Sequence, residues 1–393
     1  MTEKLYYIDS HMKTFTATVT SCEKDGARYL VTLDRTAFFP EGGGQFGDSG
    51  TIGDARVFDT HEKDGEILHY VNQPLEIERS YDCAIDWETR FRRMQNHSGE
   101  HIVSGLVHKK YGYNNVGFHM GSDVVTIDFD GELTKEQLSE IEREANYAVA
   151  ANYKVTATFP PKEVLKTLEY RSKLELTENV RIVEIENVDI CACCAPHISS
   201  TAEVGTVRIL SSERRRRGGE GVRITMLCGL DAYDNEVIIG ENNTEISMLL
   251  SAKRNETAAA VRRLMGENEK LRARSAELCR ELARQKAETI EPTEGSICIF
   301  DSILDEPALR ALVNEAVKKC SGVAAVFSGS DERGYRYIIG SRTVDLRKAA
   351  KSINEGISGR GGGSPEMIQG SCTACSLTIQ NFLTNFTFQT SYI

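Results

Sequence analysis

The chain has 393 residues, 40% hydrophobic and 27% charged, with a formal net charge of −11. That length exceeds one ordinary core and points to several domains of ordinary globular composition. The acidic excess argues against indiscriminate attraction to nucleic acid, since phosphate binding needs a basic surface. It leaves room for a local patch at Arg214-Arg215-Arg216-Arg217 with Arg223, a run that would serve equally as a solvated turn.

No stretch reaches the continuous apolar length that crosses a bilayer, and Met1-Thr2-Glu3-Lys4-Leu5-Tyr6-Tyr7 lacks the apolar core of a secretion signal. A cytoplasmic protein without membrane contact is expected. Its eleven cysteines, an odd number spread from Cys22 to Cys375, read as reduced core residues or metal ligands rather than a disulfide framework.

Residues 1–88 alternate apolar and polar positions in short runs such as Thr14-Phe15-Thr16-Ala17-Thr18-Val19-Thr20 and Tyr29-Leu30-Val31-Thr32-Leu33, punctuated by Asp25-Gly26 and Asp64-Gly65. A small antiparallel β-barrel is the expected packing. Within it lies Thr36-Ala37-Phe38-Phe39-Pro40-Glu41-Gly42-Gly43-Gly44-Gln45-Phe46-Gly47-Asp48. Three consecutive glycines allow positive φ and let backbone amides approach a ligand; glycine richness alone would equally suit a hairpin loop.

From Trp87 the period becomes helical, and Gly112 with Asn114-Asn115 ends the helix. His97 and His101 stand at i and i+4, on one helix face and near enough to share a metal ion. A strand over Val124–Phe129 follows, then a second helix opened by the Thr134/Gln137 capping box, then strands near 182–185, 207–210 and 222–226. Residues 89–236 are expected to form an α+β domain.

A linker assigned to 237–290 carries a long helix from about 243 to 287, with Leu264, Leu271 and Leu278 spaced by sevens. Asn268 and Ser275 weaken the seam, which suits either a homodimer contact or a spacer packed on its own chain. Residues 291–393 read as a compact α/β unit: buried strands at 296–300 and 323–327, an amphipathic helix over about 306–320 between them, and a third strand at Tyr335–Ile339. Gly359-Arg360-Gly361-Gly362-Gly363-Ser364 precedes an expected helix start at Pro365; it lacks the Lys-Ser/Thr of a P-loop, so nucleotide binding is not expected.

Two imidazoles that bind zinc need further soft or borderline ligands elsewhere. The donor loop is Asp189-Ile190-Cys191-Ala192-Cys193-Cys194-Ala195-Pro196-His197, where Cys193 and His197 are in C-x-x-x-H spacing and Cys191 and Cys194 are rivals. Pro196 disfavours helix at Ala195, so a turn is expected there. A lone H-x-x-x-H is usually chance, but this chain has only eight histidines, and a cysteine–histidine loop beside the pair makes coincidence a poor account. Glu100 lies between the histidines, but H-S-G-E-H spacing differs from the H-E-x-x-H of metalloproteases and is expected to aim it elsewhere.

The loop Thr36–Asp48, the His97/His101 pair, the Cys193–His197 loop, Gly221-Val222-Arg223-Ile224 and the C-terminal unit together resemble the long-form alanyl-tRNA editing proteins of the AlaX family. They are similar to the editing and C-terminal domains of alanyl-tRNA synthetase. The C-terminal unit is also like that of DHH phosphoesterases, whose adjacent histidines are missing here. The usual family loop is Cys-Gly-Gly-Thr-His, and here Cys193-Cys194-Ala195-Pro196-His197 keeps the ligand types without the glycines.

The resemblance implies an α+β multidomain protein: an N-terminal β-barrel, a zinc editing domain, a helical linker and a C-terminal α/β domain. It implies one Zn²⁺ held by His97, His101, Cys193 and His197, with Gln45 and Thr36 acting catalytically and Thr36 pairing with a serine hydroxyl. Gly42, Gly43, Gly44 and Arg223 would contact substrate. The implied reaction is hydrolysis of mischarged tRNA(Ala), chiefly the seryl ester and secondarily the glycyl ester. With Met1 directly before the barrel, amino-acid activation by ATP is not expected. The other readings are a non-catalytic zinc protein that binds tRNA and an editor of a different tRNA, such as threonyl-tRNA.

Overall fold

The computed structural model describes residues 2–172, 179–215 and 220–385. The chain divides into two compact units, Met1–Asn243 and Thr244–Ile393.

In the first unit, six antiparallel strands close into a barrel in the order Thr14–Asp25, Arg28–Leu33, Glu66–Val71, Ala55–Lys63, Gly50–Ile52, Ser80–Ile85. Period-2 alternation sends Ala17, Val19, Val31, Leu33, Ile52, Val57 and Val71 into its core. In the strand Glu66–Val71 the inward row is Ile67, His69 and Val71, so the same alternation buries a histidine.

Helix α1 (Trp87–Tyr111) leaves the barrel at Asp86, whose carboxylate accepts from the Thr89 amide, and stops at Gly112 with φ 73°. With helix α2 (Lys135–Ala150), opened by the Thr134/Gln137 capping box, it covers a sheet ordered Val207–Arg214, Val222–Cys228, Val125–Phe129, Asn115–Met120. A smaller sheet, Val155–Thr158, Ile182–Ile185 and Asp189–Ala192, ends where the Cys193 loop begins. One core joins these layers: Ile102, Val103 and Val107 of α1 meet Ile127, Phe129, Ile141, Ile185 and Ile224.

In the second unit the sheet runs Ile297–Asp301, Val323–Ser330, Gly334–Ser341, Met367–Cys372, Gly359–Gly363, with only the first pair parallel. The helix between its first two strands spans Glu306–Ala316, shorter than the expected 306–320.

Two expectations are corrected here. The linker is not one helix from 243 to 287. A helix over Gly229–Leu249 ends before Ser251, which takes φ 48°, and a second helix spans Thr257–Thr289. That second helix packs on its own unit through Cys279, Ala283 and Ala287, while Leu264, Leu271 and Leu278 stay exposed.

The Gly359–Gly363 run is an edge strand, and no helix starts at Pro365. Its glycines provide room rather than a phosphate cradle: a Cβ on Gly361 would lie 2.3 Å from the Gln369 carbonyl and 2.4 Å from the Tyr337 hydroxyl.

Candidate metal centre

The glycine-rich loop folds on itself before it can meet a ligand. Gly42 and Gln45 exchange two backbone hydrogen bonds of 3.0 Å, with Gly43 and Gly44 between them at φ 60° and 83°. That is a two-residue hairpin whose central positions need positive φ, which glycine adopts without strain. Gly44 also lies against the strand Asn115–Met120, where a Cβ would come within 2.6 Å of Phe118. Of the three glycines, Gly43 lines the adjoining cavity; the Gly42 amide is engaged by Gln45.

The hairpin turns Gln45 back against α1. Gln45 is 1% exposed, and its Oε1 lies 2.9 Å from His97 Nδ1. Each of the other two imidazoles is held in the same way. His101 Nδ1 is 3.2 Å from Asp189 Oδ2, and Arg171 grips that carboxylate through two bonds of 2.7 Å. His197 Nδ1 is 2.9 Å from Ser98 Oγ.

With every Nδ1 engaged, the three Nε2 atoms are left to converge on Cys193. His97 Nε2 is 3.5 Å and His197 Nε2 3.3 Å from its Sγ, and the ligand atoms of all four residues lie within 4.8 Å of one another. Outer partners that fix the tautomer and direction of each ring are a feature of metal sites.

Electrostatics agree with the geometry. Burial pushes the Cys193 thiol up, but His97, His197 and hydrogen bonds from His101 and His197 hold it well below its ordinary value. Burial pushes His197 down to about 3. Burial would lower His101 too, yet the Cys191 charge and the Asp189 hydrogen bond carry it well above the usual imidazole value. A thiolate among imidazoles is a donor set for a borderline-soft divalent ion, whose entry would displace the His101 proton. The residues present therefore fit a metal.

The loop that carries Cys193 and His197 is pinned from two sides. Arg181 donates to the Cys193 and Ala195 carbonyls, and Ser10 Oγ donates to the His197 carbonyl. As expected from Pro196, the loop is not helical. Cys194 is exposed and outside the tetrad. Cys191 falls in a separate group with His101 and Asp189, whose atoms are already engaged with each other and with Arg171.

Other sequence-derived site residues fall elsewhere. Thr36 is fully buried inside the barrel, where its hydroxyl lies 2.9 Å from His69 Nε2 while His69 Nδ1 faces the Val31 carbonyl at 3.0 Å. Val31 can only accept, so the ring proton sits on Nδ1 and the Thr36 hydroxyl donates to Nε2. Arg223 forks onto Asp128 at 2.7 and 2.8 Å and does not line the cavity. Arg214 reaches Glu132 at 3.6 Å, and Arg216 and Arg217 lie outside the described residues.

Glu100 departs from expectation. It is 3% exposed, lines the same cavity as His97 and His101, and places Oε2 3.8 Å from His101 Nε2. One residue before the second histidine, its stem leaves the helix off the metal face, but Ser104 and Asn115 hold its other oxygen in the interior.

Asp189, Arg171 and Ser98 were not singled out as functional residues by sequence reasoning. The available signal was slight: Asp189 opens the cysteine loop and Ser98 follows His97. The cavity beside the tetrad measures about 1520 Å³ and is lined also by Tyr7, Phe159, Tyr170, Arg171 and Arg181.

Residues 180–223 match the model of the threonyl and alanyl tRNA synthetase second additional domain. The chain is 27% identical over 390 residues to the alanyl-tRNA editing protein AlaX-L of Pyrococcus horikoshii, covering 94% of each chain. It is 34% identical over 239 residues to AlaX-M of Saccharolobus solfataricus, covering 58% of this chain and 99% of that one. The alanine–tRNA ligase of Ignicoccus hospitalis is 28% identical over 374 residues, which cover 92% of this chain and 40% of the ligase. The tetrad and its supports thus stand in a chain that belongs to the alanyl-tRNA editing proteins of the AlaX family, in their long form.

Proposed function

We propose that the chain is a trans-editing hydrolase that deacylates mischarged tRNA(Ala), chiefly the seryl and secondarily the glycyl ester, with one Zn²⁺ held by His97, His101, Cys193 and His197. The observation that carries this reading is the convergence of three Nε2 atoms and the Cys193 sulfur beside a large cavity, each ring being fixed through its Nδ1. Bound zinc would supply Lewis-acid polarisation and acidification of water.

The chain's own residues act around it. Gln45, Asp189 and Ser98 hold the imidazoles in the tautomer that leaves Nε2 free. Arg181 and Ser10 fix the Cys193–His197 loop. Gly43 forms part of the substrate wall. With Gln45 Oε1 accepting from His97, the Gln45 Nε2 amide has no hydrogen-bond partner among the described residues and remains a spare donor behind His97.

We place the editing activity in residues 89–236 and tRNA-body contacts in the C-terminal unit. The exposed Leu264, Leu271 and Leu278 row is the candidate homodimer contact. Incubating the metal-loaded chain with labelled seryl-tRNA(Ala), with and without chelator, tests the reading: release of serine must be fast and chelator-sensitive. Metal binding without release would instead favour a non-catalytic tRNA-binding protein. Threonine release from threonyl-tRNA, with seryl-tRNA(Ala) intact, would favour the other editing class.

A further inference from the structure

The mouth of the metal cavity carries an aromatic surface that the hydrolytic chemistry does not use. Tyr7 and Phe159 both line that cavity and meet edge to face with centroids 5.4 Å apart. Tyr7 is braced from behind: Tyr6 abuts it at 4.6 Å, and the Arg181 guanidinium lies 5.2 Å from its ring centre. Phe159, supported by this stack, is 51% exposed, although Phe is ordinarily a core residue.

Arg181 is the same residue that donates to the Cys193 and Ala195 carbonyls. The aromatic stack and the metal-binding loop therefore share one rigid support. Pro160 follows Phe159 directly and restricts its backbone to extended conformations.

The cavity is larger than an amino acid requires. Pockets for whole drug-sized molecules measure roughly 300–1,000 Å³, and this one measures about 1520 Å³. A seryl group at the tetrad would leave most of it empty. The scissile ester is carried on the ribose of a nucleotide, so a heteroaromatic base must lie within one sugar of the tetrad. Exposed aromatic rings beside a nucleotide site stack bases through their π-faces, independently of base identity.

We propose that Phe159, backed by Tyr7, is the platform on which the terminal base of the aminoacyl-tRNA stacks while its ester lies at the tetrad. This rests on the hydrolase reading above and extends it to the nucleotide half of the substrate.

The test uses the metal-loaded full chain and two non-hydrolysable probes measured by calorimetry: 3′-deoxy-3′-(L-serylamino)adenosine, and the same serylamino sugar without its base. Three variants are compared, with thermal melts to check folding: Phe159→Ala, Phe159→Leu, which keeps apolar bulk but loses the ring, and Phe159→Trp, which keeps a ring. The adenosine probe should bind Phe159→Ala and Phe159→Leu roughly 5- to 100-fold more weakly than wild type, and Phe159→Trp about equally. The base-free probe should bind all four proteins alike.

An unchanged adenosine-probe affinity in Phe159→Leu overturns the platform, as does equal weakening of both probes, which would place the ring at the acyl group. The hydrolase reading is judged separately by wild-type release of serine from seryl-tRNA(Ala). A wild-type chain that releases serine while Phe159→Leu binds the adenosine probe normally refutes the platform alone.

Discussion

Arg90 and Asp48 provide a direct test of how the candidate metal site is assembled. Arg90 stands on α1 two turns before His97, Asp48 three residues after Gln45, and both side chains are 1% exposed. The Arg90 Nε lies 3.0 and 2.8 Å from the two Asp48 oxygens, and its Nη atoms donate to the Ala37 and Ser10 carbonyls. Asp48 Oδ2 also accepts from the Phe39 amide at 2.6 Å. This pair ties both arms of the glycine-rich hairpin to the helix that carries the histidines.

Arg90→Met would leave the buried Asp48 charge facing only Arg93, whose Nη1 lies 4.0 Å away, at a cost of about 3–5 kcal/mol. For a unit of this size each kcal/mol moves Tm by about 2–4 °C, so a fall of about 6–20 °C is expected. The single tryptophan, Trp87, lies in the first unit near Arg90, so its fluorescence follows this unit specifically. Adding Asp48→Asn removes the stranded charge while keeping an acceptor for Phe39, and should restore at least about 1 kcal/mol. A Tm within about 2 °C of wild type for Arg90→Met, or strict additivity in the double variant, would refute the reasoning.

Thr36→Val should cost about 1–3 kcal/mol by leaving His69 Nε2 without its donor, while seryl-over-alanyl preference stays unchanged; a selective loss of preference would put Thr36 back at the substrate. Burial holds His69 near a pKa of about 4, below its ordinary 6.5. The unfolded chain therefore takes up the proton first, and the contribution, full above pH 6.5, falls away between about pH 6.5 and 4 by about 3 kcal/mol. His69→Gln should lessen the slope of the denaturation profile in that window, where His197 still contributes, and an unchanged slope would contradict it. Cys193→Ser should abolish stoichiometric metal uptake measured by elemental analysis, whereas Cys191→Ser and Cys194→Ser should retain it; metal loss in Cys191→Ser alone would move the ligand.

What the sequence carried well was local and periodic. The i, i+4 spacing of His97 and His101 puts both rings on one face once a helix is established, and the caps at Thr134 and Gly112 belong to residue types that act within a few positions. Pro196 likewise announced the turn that brings Cys193 and His197 round. The partners on each Nδ1 were harder, because Gln45, Asp189 and Ser98 reach their histidines through the barrel hairpin, the small sheet and α1 itself. Thr36 shows the reverse difficulty: a polar residue flanking the loop in sequence turns inward, because the strand alternation that buries Ile67 and Val71 also buries its partner His69. Glycines at 359–363 misled because glycine serves there for close contact between strands, whereas a loop ahead of a helix start at Pro365 was expected.

The most direct test of the central claim measures serine release from seryl-tRNA(Ala) by the full chain against bound zinc, titrated from zero to saturation. Activity should rise linearly to a plateau at one zinc per chain, with none in the chelated protein and none in Cys193→Ser at any zinc level. Full activity in the metal-free chain, or in Cys193→Ser, would contradict it.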